Sequence, residues 1–202
     1  MRTRNFCTDH LIFLIGFRSR QCLSLFPSED SKFFNHKGID LGEIKKSVEL
    51  NLKEKRIVRG ASTITQQLVK MAFLSHKKSF IRKFREIIGS IALEKLMTKE
   101  RIAELYLNNI NFGKGVIGVK QAAQRFANTT PELLTLEDSI QLALVLPRPE
   151  DRSNAFLEQS LSKFGAKRYK MIAQRMYDKG VITSLQLERT LKMGDYGSPL
   201  EE

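Results

Sequence analysis

Two polar clusters carry the chemistry that this sequence offers. In the first, Ser28-Glu29-Asp30-Ser31-Lys32-Phe33-Phe34-Asn35-His36, two adjacent carboxylates stand beside two aromatics and a histidine. An acid with apolar surroundings and a negative neighbour has its pKa raised, which suits a general base. The same residues also fit a Ser-Glu-Asp helix start followed by a structural histidine. Glu29 and His36 lack the spacing of a helical metal pair, so no protein-built metal cage is expected.

The second cluster runs from Gly60 to Glu86. Ser62, Thr63 and Thr65 precede an apolar run, and Gln66 stands three residues after Thr63, as in a capping box. A helix start attracts anions through its orphan N–H groups and its dipole, and Lys70 follows one or two turns later. An ordinary capped helix would use the same residues. From Ser79 to Met97, residues Phe80, Phe84, Ile87, Ile88, Ile91 and the stem of Lys95 fall on one side of a helix, while Arg82, Lys83 and Glu86 project from the other. Arg82 and Glu86 at i,i+4 are compatible with a solvated pair worth about 0.3–0.5 kcal/mol.

The elements that must position these clusters are helical. Leu41 to Lys55 repeats Ile44, Val48 and Leu52 with Lys45, Lys46, Glu49 and Lys53 outward, and is expected to pack under the site. Thr98 caps a helix over Lys99 to Asn108 whose buried side is Ile102, Leu105 and Tyr106. Phe112 to Gly118 is punctuated by glycines without Walker or Rossmann order, which predicts tight turning before a short helix from Val119 to Phe126. Thr135 with Asp138 opens an apolar core helix that Pro147 stops. A basic amphipathic helix over Leu157 to Asp178 ends at Gly180, and Thr183 with Gln186 opens a last short helix. No alternating strand-like run, repeat or low-complexity tract appears, so the fold class is mainly α.

At 202 residues and 42% hydrophobic content the chain can bury one main globular domain. Its net charge of +12 is spread along the chain and points to an anionic partner: nucleic acid, an anionic membrane or a diphosphate. Cys7 and Cys22 have neither zinc spacing nor disulfide density and are expected to be free thiols. Near the N-terminus, Leu11 to Phe17 is an apolar run between arginines, far short of the ~20 residues that span a bilayer.

Three stretches in order, SEDSKFFNHKGID, RGASTITQQLVK, and RKFRE followed by KERIAELYLNNINFGKGVIGVKQAA, resemble the motifs of the peptidoglycan glycosyltransferases, glycosyltransferase family 51. That family occurs as the transglycosylase domain of bifunctional penicillin-binding proteins and as monofunctional enzymes. With no transpeptidase domain following, this chain resembles the monofunctional type. The resemblance divides it into an atypical segment 1–27, compatible with the remnant of an anchor or signal, a glycosyltransferase domain 28–192 and a tail 193–202 expected to fray.

The resemblance implies a lysozyme-like helical fold that polymerises lipid II into a β-1,4-linked glycan, with inversion and release of undecaprenyl diphosphate, at the outer face of the bacterial cytoplasmic membrane. It implies catalytic roles for Glu29, as general base, and for Glu86, orienting the donor or helping to hold a divalent ion at the diphosphate. Lys70, Arg82 and Lys83 would meet the diphosphate, Ser62, Thr63, Gln66 and Gln67 would position sugar or phosphate oxygens, and Asp30 and His36 would fix the first loop. No cofactor is required, although some relatives imply Mg or Mn at the diphosphate. The implied partners are lipid II, the growing strand, the membrane surface and other cell-wall synthesis proteins. Met71 stands where the family commonly has Asn, and Phe126-Ala127-Asn128 replaces a Tyr-Phe-Gly type of ending.

Two other functions compete. Nucleic-acid binding rests on charge alone, with no recognition helix, zinc pattern or RNA motif, and the Glu29-Asp30 pair would repel phosphate. A lysozyme-like glycan-cleaving enzyme would have no use for the cations Lys70, Arg82 and Lys83, since a neutral glycosidic bond needs no diphosphate clamp.

Overall fold

A computed structural model describes residues 29–56, 60–74, 79–150 and 161–196. The run Leu11 to Phe17, Cys7 and Cys22 lie outside them. Among the described residues there are eight α-helices and two short 3-10 turns, and no strand beyond a single bridge between Asn111 and Ile117. The mainly helical class is therefore shown. Contacts divide the described chain into two compact units, Glu29–Asn109 and the residues from Ile110 onward.

The first unit contains a 3-10 turn at Phe33–Asn35 and helices α1 (Leu41–Lys53), α2 (Ile64–Phe73), α3 (Phe80–Leu96) and α4 (Lys99–Asn109). Here α2 packs on both α3 and α4. Asp40 caps α1, and Ser79 caps α3. Thr63 and Gln66 form the capping box expected for α2, a device worth about 1 kcal/mol. Thr98 caps α4 through the N–H of Arg101, and Ile102 and Tyr106 are fully buried as expected.

Two helices depart from their amphipathic patterns. In α3 the apolar residues face outward: Phe80 is 96% exposed, Phe84 63% and Ile88 52%, while Glu86, Ser90 and Leu93 are buried. The reason is close packing. A Cβ on Gly89 would lie 2.8 Å from Val69 Cγ1 on α2, and one on Gly38 would lie 2.8 Å from the Ser90 carbonyl. Only the face bearing Gly89 and Ser90 admits neighbours that near, so the bulky residues turn away. The surface position expected for Glu86 is thereby corrected. Likewise Val48 and Leu52 of α1 are exposed and only Ser47 is buried, so α1 does not form the apolar underlayer its periodicity predicts.

The second unit comprises α5 (Gly118–Ala127), a 3-10 turn at Pro131–Leu133, α6 (Leu136–Val145), α7 (Lys163–Asp178) and α8 (Ser184–Tyr196). Helix α6 is buried almost all round, as its composition predicts, and packs with α7 and α8. Gly113, Lys114, Gly115 and Gly118 have positive φ, so the glycine-punctuated stretch is a tight turn. The last helix runs further than expected, through Tyr196, so residues 193–196 of the tail are helical. Fully buried Thr190, bonded to Glu137, anchors it.

Candidate active site

The start of α2 organises the first unit. The consecutive residues Ser62 to Gln67 each make a polar contact, and together they reach Glu29, Asp30, Gly38, Lys83, Glu94 and Tyr106. The N–H of Ile64 donates to Asp30 Oδ2 at 3.0 Å, and His36 Nε2 lies 2.8 Å from the same oxygen. The anion that a helix start attracts is thus a carboxylate of the chain itself. Thr63 donates to the Gly38 carbonyl at 2.6 Å and accepts from the Gln66 N–H, while Gln66 Oε1 accepts from the Thr63 N–H. Both side chains, expected above among the substrate contacts, are buried and bonded within the fold.

Beyond the cap, Gln67 Nε2 donates to Glu29 Oε2 at 3.3 Å, and the Tyr106 hydroxyl donates to Gln67 Oε1 at 3.3 Å. Burial, followed by the charges of Glu29 and Asp30, raises the Tyr106 pKa well above the ordinary phenol value. Thr65 donates to Glu94 Oε1 at 2.6 Å. Lys99 reaches that oxygen at 2.6 Å, with its ammonium 4.4 Å from the centre of the Phe33 ring. This lower network ties the turn after Asp30 to α3 and α4.

A second cluster forms where Ser62 meets α3. Lys83 Nζ donates to Ser62 Oγ at 2.9 Å and to Glu86 Oε1 at 2.5 Å, while Arg82 Nη1 lies 3.6 Å from Glu86 Oε2. Glu86 is only 3% exposed, so its charge is sustained by two cations from its own helix. Two cations against one carboxylate leave excess positive charge. Lys70, in the last turn of α2, is exposed and has no ion-pair partner among the described residues. The structure therefore brings Glu29, Asp30, His36 and Gln67 together, brings Ser62, Arg82, Lys83 and Glu86 together, and joins the groups through the start of α2.

Reading the sequence placed Tyr106 only in the core and passed over Glu94 and Lys99. Their contacts span 39 residues for Tyr106 to Gln67 and 29 for Thr65 to Glu94, separations that leave no local signature.

The profile of the family described as Transglycosylase matches residues 21–177, more than three quarters of the sequence and both clusters. The chain belongs to the transglycosylase family. Proteins named biosynthetic peptidoglycan transglycosylase are similar to it. The one from Paraburkholderia phytofirmans is 43% identical over 153 residues, covering 76% of this chain and 62% of its own. That from Herminiimonas arsenicoxydans is 44% identical over 126 residues, covering 62% and 54%. That from Acinetobacter baumannii SDF is 40% identical over 127 residues, covering 63% and 56%. This transglycosylase-family chain thus spans about three fifths of the length of the curated relatives it matches.

A divalent ion fits this arrangement poorly. Both oxygens of Glu86, the carboxylate with which the resemblance associates it, face cations. Among the described residues no group of three His, Cys, Asp or Glu side chains is placed to hold a metal.

Proposed function

We propose that this transglycosylase-family chain polymerises lipid II into a β-1,4-linked glycan. The 4-hydroxyl of the acceptor sugar attacks C1 of the donor, Glu29 takes the hydroxyl proton, and the bond from C1 to the diphosphate oxygen breaks with inversion. Undecaprenyl diphosphate leaves with the bonding electrons. Lys70, Arg82 and Lys83 offset the charge that grows on it, and Glu86 holds Arg82 and Lys83 in place. Asp30 and His36 clamp the turn that carries Glu29, and Ser62 and Gln67 present polar atoms beside the reacting groups.

The observation that carries this reading is the pairing, through one helix start, of a carboxylate steered by Gln67 with a cluster holding more cations than carboxylates. Proton removal at one place and leaving-group charge at another are the two demands of transfer from a diphosphate. The same excess of cations disfavours the glycan-cleaving alternative.

A site at the outer face of the cytoplasmic membrane is supported by the exposed apolar residues Phe80, Ile81, Phe84 and Ile88 of α3, near Arg85, and by Leu41 and Leu52 of α1 beside Lys45 and Lys53. Such a surface suits a lipid boundary with anionic headgroups. No described helix is long and apolar enough to cross a membrane.

The deciding experiment is polymerisation of labelled lipid II by the purified chain beside Glu29→Gln, with products resolved on a gel. Strands from the parent and none from a variant that still binds lipid II are expected. Absence of strands from a parent that binds lipid II would overturn the proposal, and fragments released from purified cell wall would replace it with the hydrolase.

A further inference from the structure

We propose that Tyr106 is a positioning residue for Glu29, acting through the side-chain amide of Gln67. The inference rests on the reading of Glu29 as the base. Tyr106 lies on α4, fully buried, and its hydroxyl meets Gln67 Oε1 at 3.3 Å while Gln67 Nε2 meets Glu29 Oε2 at 3.3 Å.

A carboxylate accepts hydrogen bonds and an amide has one donating end, so only one orientation of Gln67 suits Glu29. The opposite orientation would set the amide oxygen against the carboxylate. Tyr106 favours the useful orientation because its hydroxyl donates to the amide oxygen. Its raised pKa keeps that donor protonated. Donation at one end of an amide also polarises the N–H groups at the other, strengthening their hold on the carboxylate. Removing the hydroxyl frees the amide to turn, and a turned amide sets its oxygen instead of its NH2 against Glu29. Orientation of a base toward the proton it takes affects the transition state more than substrate capture.

Tyr106→Phe keeps the buried ring and deletes only the donor. In lipid II polymerisation the variant is expected to lose about tenfold in kcat with KM within about twofold. Gln67→Leu, which keeps the phenol and its packing, is expected to lose at least as much. The double variant should be no slower than Gln67→Leu alone, because the hydroxyl has no route to Glu29 without the amide. Independently of activity, 15N NMR should show faster hydrogen exchange of the Gln67 side-chain NH2 in Tyr106→Phe, with backbone exchange in α2 and α4 unchanged.

Parental kcat in either single variant, or additive losses in the double, would overturn the relay. So would unchanged Gln67 side-chain exchange in a folded Tyr106→Phe protein. If the parent makes no glycan, the polymerase reading fails by itself, and the exchange measurement still decides whether Tyr106 holds Gln67. Should Tyr106→Phe not fold, exchange of the Gln67 side-chain NH2 in the parent decides: protection well beyond that of an exposed glutamine amide sustains the relay, and exchange at the exposed-amide rate overturns it.

Discussion

Asp30 Oδ2 accepts the backbone N–H of Ile64 at 3.0 Å, so the first amide of α2 is bonded to a carboxylate 34 residues earlier in the chain. His36 closes on the same oxygen. Asp30→Ala would leave a buried amide and a buried imidazole nitrogen without this acceptor, and should destabilise the fold by about 2–3 kcal/mol in urea titrations. Asp30→Asn keeps an acceptor oxygen and should lose about half as much. Equal stability of the alanine variant and the parent would show that the clamp contributes nothing.

Gly89 tests the packing that turned α3. A methyl group there would stand 2.8 Å from Val69 Cγ1, a β-branched and buried side chain with little freedom to move. Alanine in place of helical glycine ordinarily gains up to about 1 kcal/mol. Gly89→Ala should nevertheless destabilise by about 1–2 kcal/mol, and Val69→Ala in the same chain should relieve much of the overpacking. A stabilised single variant in thermal melts would show that α2 and α3 are not this close.

Stability at alkaline pH should report Tyr106. Its folded pKa lies above the unfolded value near 10, so between those values the folded state keeps a proton that the unfolded state has lost. The tyrosine's contribution is thus complete below pH ~10 and falls as pH rises further, by about 1.4 kcal/mol per pH unit. Tyr169, raised by burial and by Glu137 and Asp138, should add a similar slope. Tyr106→Phe should lose its own share of the slope when unfolding is measured from pH 9 to 11. Identical slopes for parent and variant would contradict an elevated Tyr106.

The outward apolar residues of α3 predict membrane contact without a folding role. Phe80→Ser with Phe84→Ser should reduce binding to anionic phospholipid vesicles about a hundredfold or more, since each phenyl group contributes roughly 1.5–3 kcal/mol when buried. The melting temperature should stay within a few degrees of the parent. A large fall in melting temperature, or parental vesicle binding, would argue that these residues serve the protein's own packing or nothing at the membrane.

What could be read in the sequence followed from interactions a few residues long. Thr63 with Gln66, Thr135 with Asp138 and Thr183 with Gln186 each stand three apart, and each opens a helix in the structure. The apolar run Ser139 to Leu146 falls largely within α6, a helix buried almost all round, for the same local reason. The ordered motifs carried the family, because the profile reads the same residues.

The face of α3, the internal partner of the α2 start and the place of Tyr106 were decided by the tertiary structure. Hydrophobic periodicity records which residues share a side of a helix, but close approach selects small side chains, and here Gly89 and Ser90 outweighed Phe80, Phe84 and Ile88. The helix start announced an affinity for an anion without naming it, since dipole and free amides accept any negative group within reach. Only folding brought Asp30 to that amide and Glu29 to Gln67, over separations at which no residue spacing records a contact.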